Sequence, residues 1–78
     1  YQEEIIKEYE KKGYTVLKTI RLNKSGSDIL AMKRGRSVWI EVKEANDTLK
    51  PLQIHRINQL RDDGFDAFCL QKGKGKIY

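Results

Sequence analysis

The sequence predicts a single α/β domain over residues 1–78: a helix, three strands, a second helix and a last strand around a mixed central sheet. Three observations carry that prediction. Residues 2–12 have helical composition and stop at Gly13, a residue suited to the left-handed turn that ends helices. Lys33-Arg34-Gly35-Arg36 separates two β-rich runs and reads as a hairpin turn, which makes those runs antiparallel. Pro51 opens a second helical run that links two further strands. A connection that long makes the strands it joins parallel, with a right-handed crossover.

Taken in order, the first helix places Tyr1, Ile5, Ile6 and Tyr9 on one arc at 100° per residue, with most Glu and Lys residues outside it. Gln2 also falls on this arc. Tyr14 to Arg21 alternates partly and is rich in β-branched residues, as a strand is. Leu22 to Ser27 is read as a loop, followed by a strand from Asp28 to about Lys33. Val38-Trp39-Ile40-Glu41-Val42-Lys43 forms the antiparallel third strand, and Ala45 to Thr48 a loop. The second helix runs from Pro51, whose missing N–H costs nothing at a first helical position, to Asp63, and stops at Gly64. Ile54, Ile57 and Leu60 define its apolar arc. Phe65 to Gln71 is a short strand, and residues 72–78 are expected to form a flexible basic tail. There is no internal repeat and no domain boundary.

Hydrophobic residues make up 38% of the chain and charged residues 35%, the balance of a globular domain with a small core. No run approaches the ~20 apolar residues of a membrane span, and no signal-peptide pattern opens the chain. Neither a membrane nor a small-molecule substrate is expected as a partner. The chain opens at Tyr1 and its only methionine is Met32, so a preceding stretch of the natural protein is expected. Cys69 is the only cysteine, which rules out an internal disulfide and a cysteine cluster for zinc. It lies in an apolar run and is expected to be buried, in an intracellular protein. Sixteen Lys and Arg against eleven Asp and Glu give a net charge of +5, suited to a polyanion such as nucleic acid or an anionic membrane surface.

The placement of the acids is more informative. Along the third strand Trp39, Glu41 and Lys43 share one face, and Val38, Ile40 and Val42 the other. Asp28 begins the strand across the hairpin, so pairing sets it opposite residues 41 to 43. Two carboxylates and an ammonium thus meet at one end of the sheet. Neighbouring carboxylates repel, and a divalent cation relieves the repulsion. Hard oxygen ligands suit Mg²⁺ or Mn²⁺, which accept a phosphate oxygen and acidify water. On this reasoning, removing either carboxylate is expected to hold or raise the melting temperature. A Glu-x-Lys pair alone reads as a surface ion pair worth at most ~1 kcal/mol. The aspartate one hairpin upstream changes that reading. Gln53 lies on the apolar arc of the second helix, where a buried amide needs partners. It is either a satisfied core glutamine or a group facing the cation's water or a phosphate.

The set Gly26-Ser27-Asp28, Ile40-Glu41-Val42-Lys43 and Leu49-Lys50-Pro51-Leu52-Gln53 resembles the PD-(D/E)XK nuclease superfamily, and within it the VRR-NUC domains common as small stand-alone bacteriophage proteins. The resemblance runs from about Gln2 to Leu70. It implies a restriction-endonuclease-like αβββαβ core and a Mg²⁺- or Mn²⁺-dependent DNA endonuclease. Asp28, Glu41 and the backbone carbonyl of Val42 would be metal ligands, Lys43 the catalytic lysine and Gln53 the family's helix glutamine. Two departures stand out. Ser27 replaces the family's usual proline. The family's first-helix glutamate would precede Tyr1 if Gln2 matches the glutamine that follows it, leaving Glu3 and Glu4 as substitutes.

Lys24, Lys33, Arg34 and Arg36 are expected to flank the site and contact the DNA backbone. Arg56 is expected either at a phosphate or in solvent, and His55 in solvent. Trp39 is expected to pack, at a subunit contact among other places. A two-fold DNA substrate favours a homodimer. The expected function is structure-selective cleavage of a junction or flap, or nicking, in the cytoplasm of a bacterial host if the chain is phage-encoded. The alternatives are a Holliday-junction-resolvase-type enzyme of the same superfamily and a non-catalytic DNA-binding module that keeps the fold.

Overall fold

A computed structural model describes residues 1–18 and 27–78. Helix α1 spans Gln2–Lys11, strand β1 Thr15–Lys18, β2 Ser27–Lys33, β3 Arg36–Lys43, helix α2 Pro51–Asp62, β4 Asp66–Gln71 and β5 Gly75–Lys76. The order of elements matches the expectation, with one strand added. Lys24 and the remainder of the expected first strand and loop lie outside the described residues.

Both helices end in the same way. Gly13, at φ +92°, lets its own N–H reach Glu10 O at 3.0 Å and the Tyr14 N–H reach Tyr9 O at 3.1 Å. Gly64, at φ +89°, repeats the pattern with Arg61 O at 3.0 Å and, through the Phe65 N–H, Leu60 O at 2.9 Å. These paired bonds satisfy carbonyls that a helix end otherwise leaves open, and the left-handed turn they need favours glycine. The Tyr9 and Tyr14 rings meet edge to face at 5.2 Å across the first of these turns.

The sheet runs β1-β2-β3-β4-β5, with β3 and β4 parallel and the other neighbours antiparallel. Between β2 and β3, Arg34 (φ 50°) and Gly35 (φ 79°) both take left-handed backbone, the signature of a two-residue turn matched to strand twist. That turn sets the register, pairing Lys33 with Arg36 and, further along, Asp28 with Glu41. The segment read as a flexible tail instead turns back after Gln71 and adds β5, pairing Leu70 with Lys76 and Gln71 with Gly75. Glycines at positive φ, Gly73 and Gly75, permit the reversal.

Alternation along the strands divides the core into two layers. Ile29, Ala31, Val38, Ile40 and Val42 pack with Ile5 and Ile6 of α1 on one face. Trp39, Ala67 and Cys69 pack with Ile57 and Leu60 of α2 on the other. Trp39 therefore packs within the chain. Among the described residues, no helix is long and apolar enough to cross a membrane.

Candidate active site

The α2 face of the sheet carries its polar groups at one end. Asp28 (1% exposed), Glu41 (0%), Lys43 (1%) and Gln53 (2%) are all buried. Asp28 and Glu41 are direct cross-strand partners, so their side chains leave the same face side by side. Lys43 lies two residues along β3 on that face. Burial of four polar or charged groups in so small a protein is costly unless they satisfy one another or a ligand.

Arg56 supplies part of the compensation. Its Nη1 lies 3.6 Å from Glu41 Oε1 and 3.8 Å from Asp28 Oδ2, so one cationic atom touches both carboxylates. The guanidinium also stands 6.0 Å from the centre of the Trp39 ring. Three residues before it on α2, Gln53 accepts the Lys50 N–H on its Oε1 at 2.9 Å, closing the first turn of the helix. That bond is why a polar residue belongs on the apolar arc. His55 is exposed, as expected.

The loop leaving Lys43 is pinned by a residue that sequence reasoning passed over. Gln71, buried at the end of β4 and in register with Lys43, donates its Nε2 to the carbonyls of Asp47 at 2.6 Å, Glu44 at 3.0 Å and Ala45 at 3.3 Å. The Lys72 N–H reaches Lys43 O at 2.9 Å. A signal was present: strand alternation puts Gln71 on the same face as Ala67 and Cys69, where an amide needs partners. Cys69 itself is in register with Glu41. Burial, and secondarily the Glu41 charge, raises its thiol pKa to about 11, with Lys43 opposing, so the sulfur stays protonated and inert.

Other expected contributors are not brought together. Lys33, Arg34 and Arg36 surround the β2–β3 turn, at the far end of the ladder from Asp28. Arg36 is five residues from Glu41, roughly 17 Å of extended strand. Lys33 instead donates to Lys12 O at 2.5 Å and lies over the Tyr14 ring, serving the end of α1. These residues do not flank the site, because an antiparallel pair places its turn and its open ends at opposite edges. Glu3 and Glu4 are exposed on α1, which packs on the other face of the sheet; Glu3 pairs with Lys18, and that hydrogen bond lowers its carboxyl pKa. Among the described residues, no set of three or more His, Cys, Asp or Glu side chains converges.

The donor chemistry still fits a cation. Two buried carboxylates approached by a single Arg56 nitrogen define a position that one positive centre can share, and both are hard oxygen donors.

A mixed five-stranded sheet with a helix on each face and acidic groups at one end of the central hairpin is a restriction-endonuclease-like core. Hjc, a Holliday junction resolvase from the archaeal hyperthermophile Archaeoglobus fulgidus, has a similar structure, with a TM-score of 0.65 at 19% sequence identity. The likeness covers 90% of this chain and 65% of the Hjc chain, so this chain spans somewhat less than two thirds of that protein's length. No protein-family model matches the sequence, and no curated protein matches it.

Proposed function

We propose that the protein is a divalent-metal-dependent DNA endonuclease that hydrolyses phosphodiester bonds in a structure-selective way. The observation carrying this reading is the register of Asp28 against Glu41 on a buried sheet face, with Lys43 two residues further on. The fold shared with a Holliday junction resolvase supports it, and makes a four-way junction the first substrate to try. The residue pattern supports the finer likeness to VRR-NUC domains.

Asp28 and Glu41 would hold the cation, Mg²⁺ or Mn²⁺, with the Val42 carbonyl as a third oxygen. A cation held there supplies Lewis acidity to a phosphoryl oxygen and to water. Lys43 cannot ligate it, because an ammonium has no lone pair. Its role is to donate hydrogen bonds and positive charge to the nucleophile or to the phosphate as charge develops there. Gln53, at the first turn of α2, would face the cation's water or a phosphate oxygen. Gln71 holds the loop that follows Lys43, and so the end of β3. At this edge Lys72 and Lys74 are exposed on the β4–β5 turn, beginning next to Lys43, and replace the distant hairpin cations as backbone contacts. A two-fold DNA substrate would be matched by a homodimer.

The test is a cleavage assay on duplex, flap and four-way-junction DNA with Mn²⁺ and with EDTA. Cation-dependent cleavage of at least one substrate is expected. Binding without cleavage on every substrate would refute the enzyme reading and favour a DNA-binding module.

A further inference from the structure

We propose that Arg56 is a built-in counter-ion that occupies the cation position of the Asp28–Glu41 pair and gives it up when a divalent cation enters. The inference rests on the nuclease reading above.

Its basis is the mismatch between where Arg56 sits and how it is held. Nη1 is buried and lies against both carboxylates, yet forms no hydrogen bond among the described residues; its approaches of 3.6 and 3.8 Å are ion pairs. An arginine built for a permanent structural pairing docks its planar fork at hydrogen-bonding distance. Here charge, not a hydrogen bond, ties Nη1 to the carboxylates, and the side chain is 39% exposed while its partners are 0–1% exposed. Exposure gives the guanidinium a route outward. The face of Trp39 provides a surface beside which it rests.

Charge gives the exchange its purpose. Asp28 and Glu41 contribute two negative charges to this face, and among the described residues Lys43 and Arg56 bring positive charge to it. A dication entering there adds positive charge at the position where Arg56 already stands. Arg56 is the member able to move, because Lys43 is 1% exposed and fixed on a central strand. Once displaced toward solvent, Arg56 meets an incoming phosphate at the mouth of the site. Metal loading thus converts a carboxylate counter-ion into a DNA contact.

The experiment titrates the wild-type chain, Arg56→Gln and Arg56→Lys with Mn²⁺ by calorimetry, and melts each in EDTA and in saturating Mn²⁺. Arg56→Gln should bind Mn²⁺ about two- to fivefold more tightly, the factor carried by one half-exposed ion pair. It should melt below wild type in EDTA, and Mn²⁺ should close that gap. Arg56→Lys should restore both values toward wild type. If Arg56→Gln is unfolded in EDTA but folds on adding Mn²⁺, the dication has replaced the guanidinium and the proposal stands. Remaining unfolded in both, or folding with equal or weaker Mn²⁺ affinity, overturns it. Wild type that takes up no Mn²⁺ sinks the nuclease reading itself; wild type that binds it, with no gain in Arg56→Gln, sinks the Arg56 inference alone.

Discussion

Glu41→Gln keeps the side-chain shape and removes one negative charge from the buried face. Carboxylate repulsion alone predicts that stability holds or rises. The two cations on that face reverse the sign. Arg56 Nη1 is 3.6 Å from Glu41 Oε1, which at an effective dielectric of ~20 corresponds to a gross attraction of ~5 kcal/mol. Solvent screens the half-exposed arginine, and the glutamine still offers a dipole, so about 1–2 kcal/mol of net loss is the realistic figure. For a domain of this size each 1 kcal/mol moves the melting temperature by ~4–8 °C, so a drop of roughly 4–16 °C is expected in EDTA. A ligand at one hundred times its Kd stabilises by about 2.7 kcal/mol, so wild type should also gain some 10–20 °C in Mn²⁺. Glu41→Gln should lose most of that gain together with cleavage. Differential scanning fluorimetry with and without Mn²⁺ measures both shifts. A variant that melts like wild type in EDTA and keeps the full Mn²⁺ shift would refute the placement of Glu41 in the cation site and the charge pairing behind it.

Lys43→Ala should reduce the cleavage rate by a factor of about 10²–10³, as the loss of one preorganised donor does, while calorimetry still finds Mn²⁺ binding. A lost metal site would instead make Lys43 a support for Glu41. Arg34 adopts φ 50°, a left-handed conformation that costs a non-glycine residue ~1 kcal/mol, so Arg34→Asn should raise the melting temperature by about 2–8 °C. Cleavage should be unaffected, since Arg34 is at the far end of the ladder. Cys69 has its pKa raised from 9.0 to about 11 by burial, so its contribution is fully present below pH 9 and is lost as pH rises toward 11. Denaturant melts of wild type and Cys69→Ala across that range should therefore differ in slope, with wild type losing stability more steeply.

Much of this protein is written in local patterns. Alternation along Val38–Lys43 assigns Glu41 and Lys43 to one face, and the hairpin at Arg34-Gly35 brings Asp28 opposite residues 41 to 43. A period of two and one short connection suffice for that much; the observed register settles the partner as Glu41. The same holds for helix ends at Gly13 and Gly64, where only the backbone conformation of one residue is at issue. What sequence leaves open depends on how distant segments lie against one another. Arg56 is ambiguous on a helical wheel, and becomes a partner of two carboxylates only once α2 packs on the sheet against β4 and Trp39. Gln71 binds carbonyls 24 to 27 residues away, a contact with no local trace. The lysines and arginines near the hairpin are close to Glu41 in sequence yet at the other end of the sheet, because extended strands carry neighbours apart at about 3.3 Å per residue. The basic C-terminal stretch looks like a tail until β4 offers an open edge for β5. Sequence determined which chemistry shares a face; tertiary packing decided which charges reach it, because side-chain direction is set locally whereas the distance between segments is set by packing.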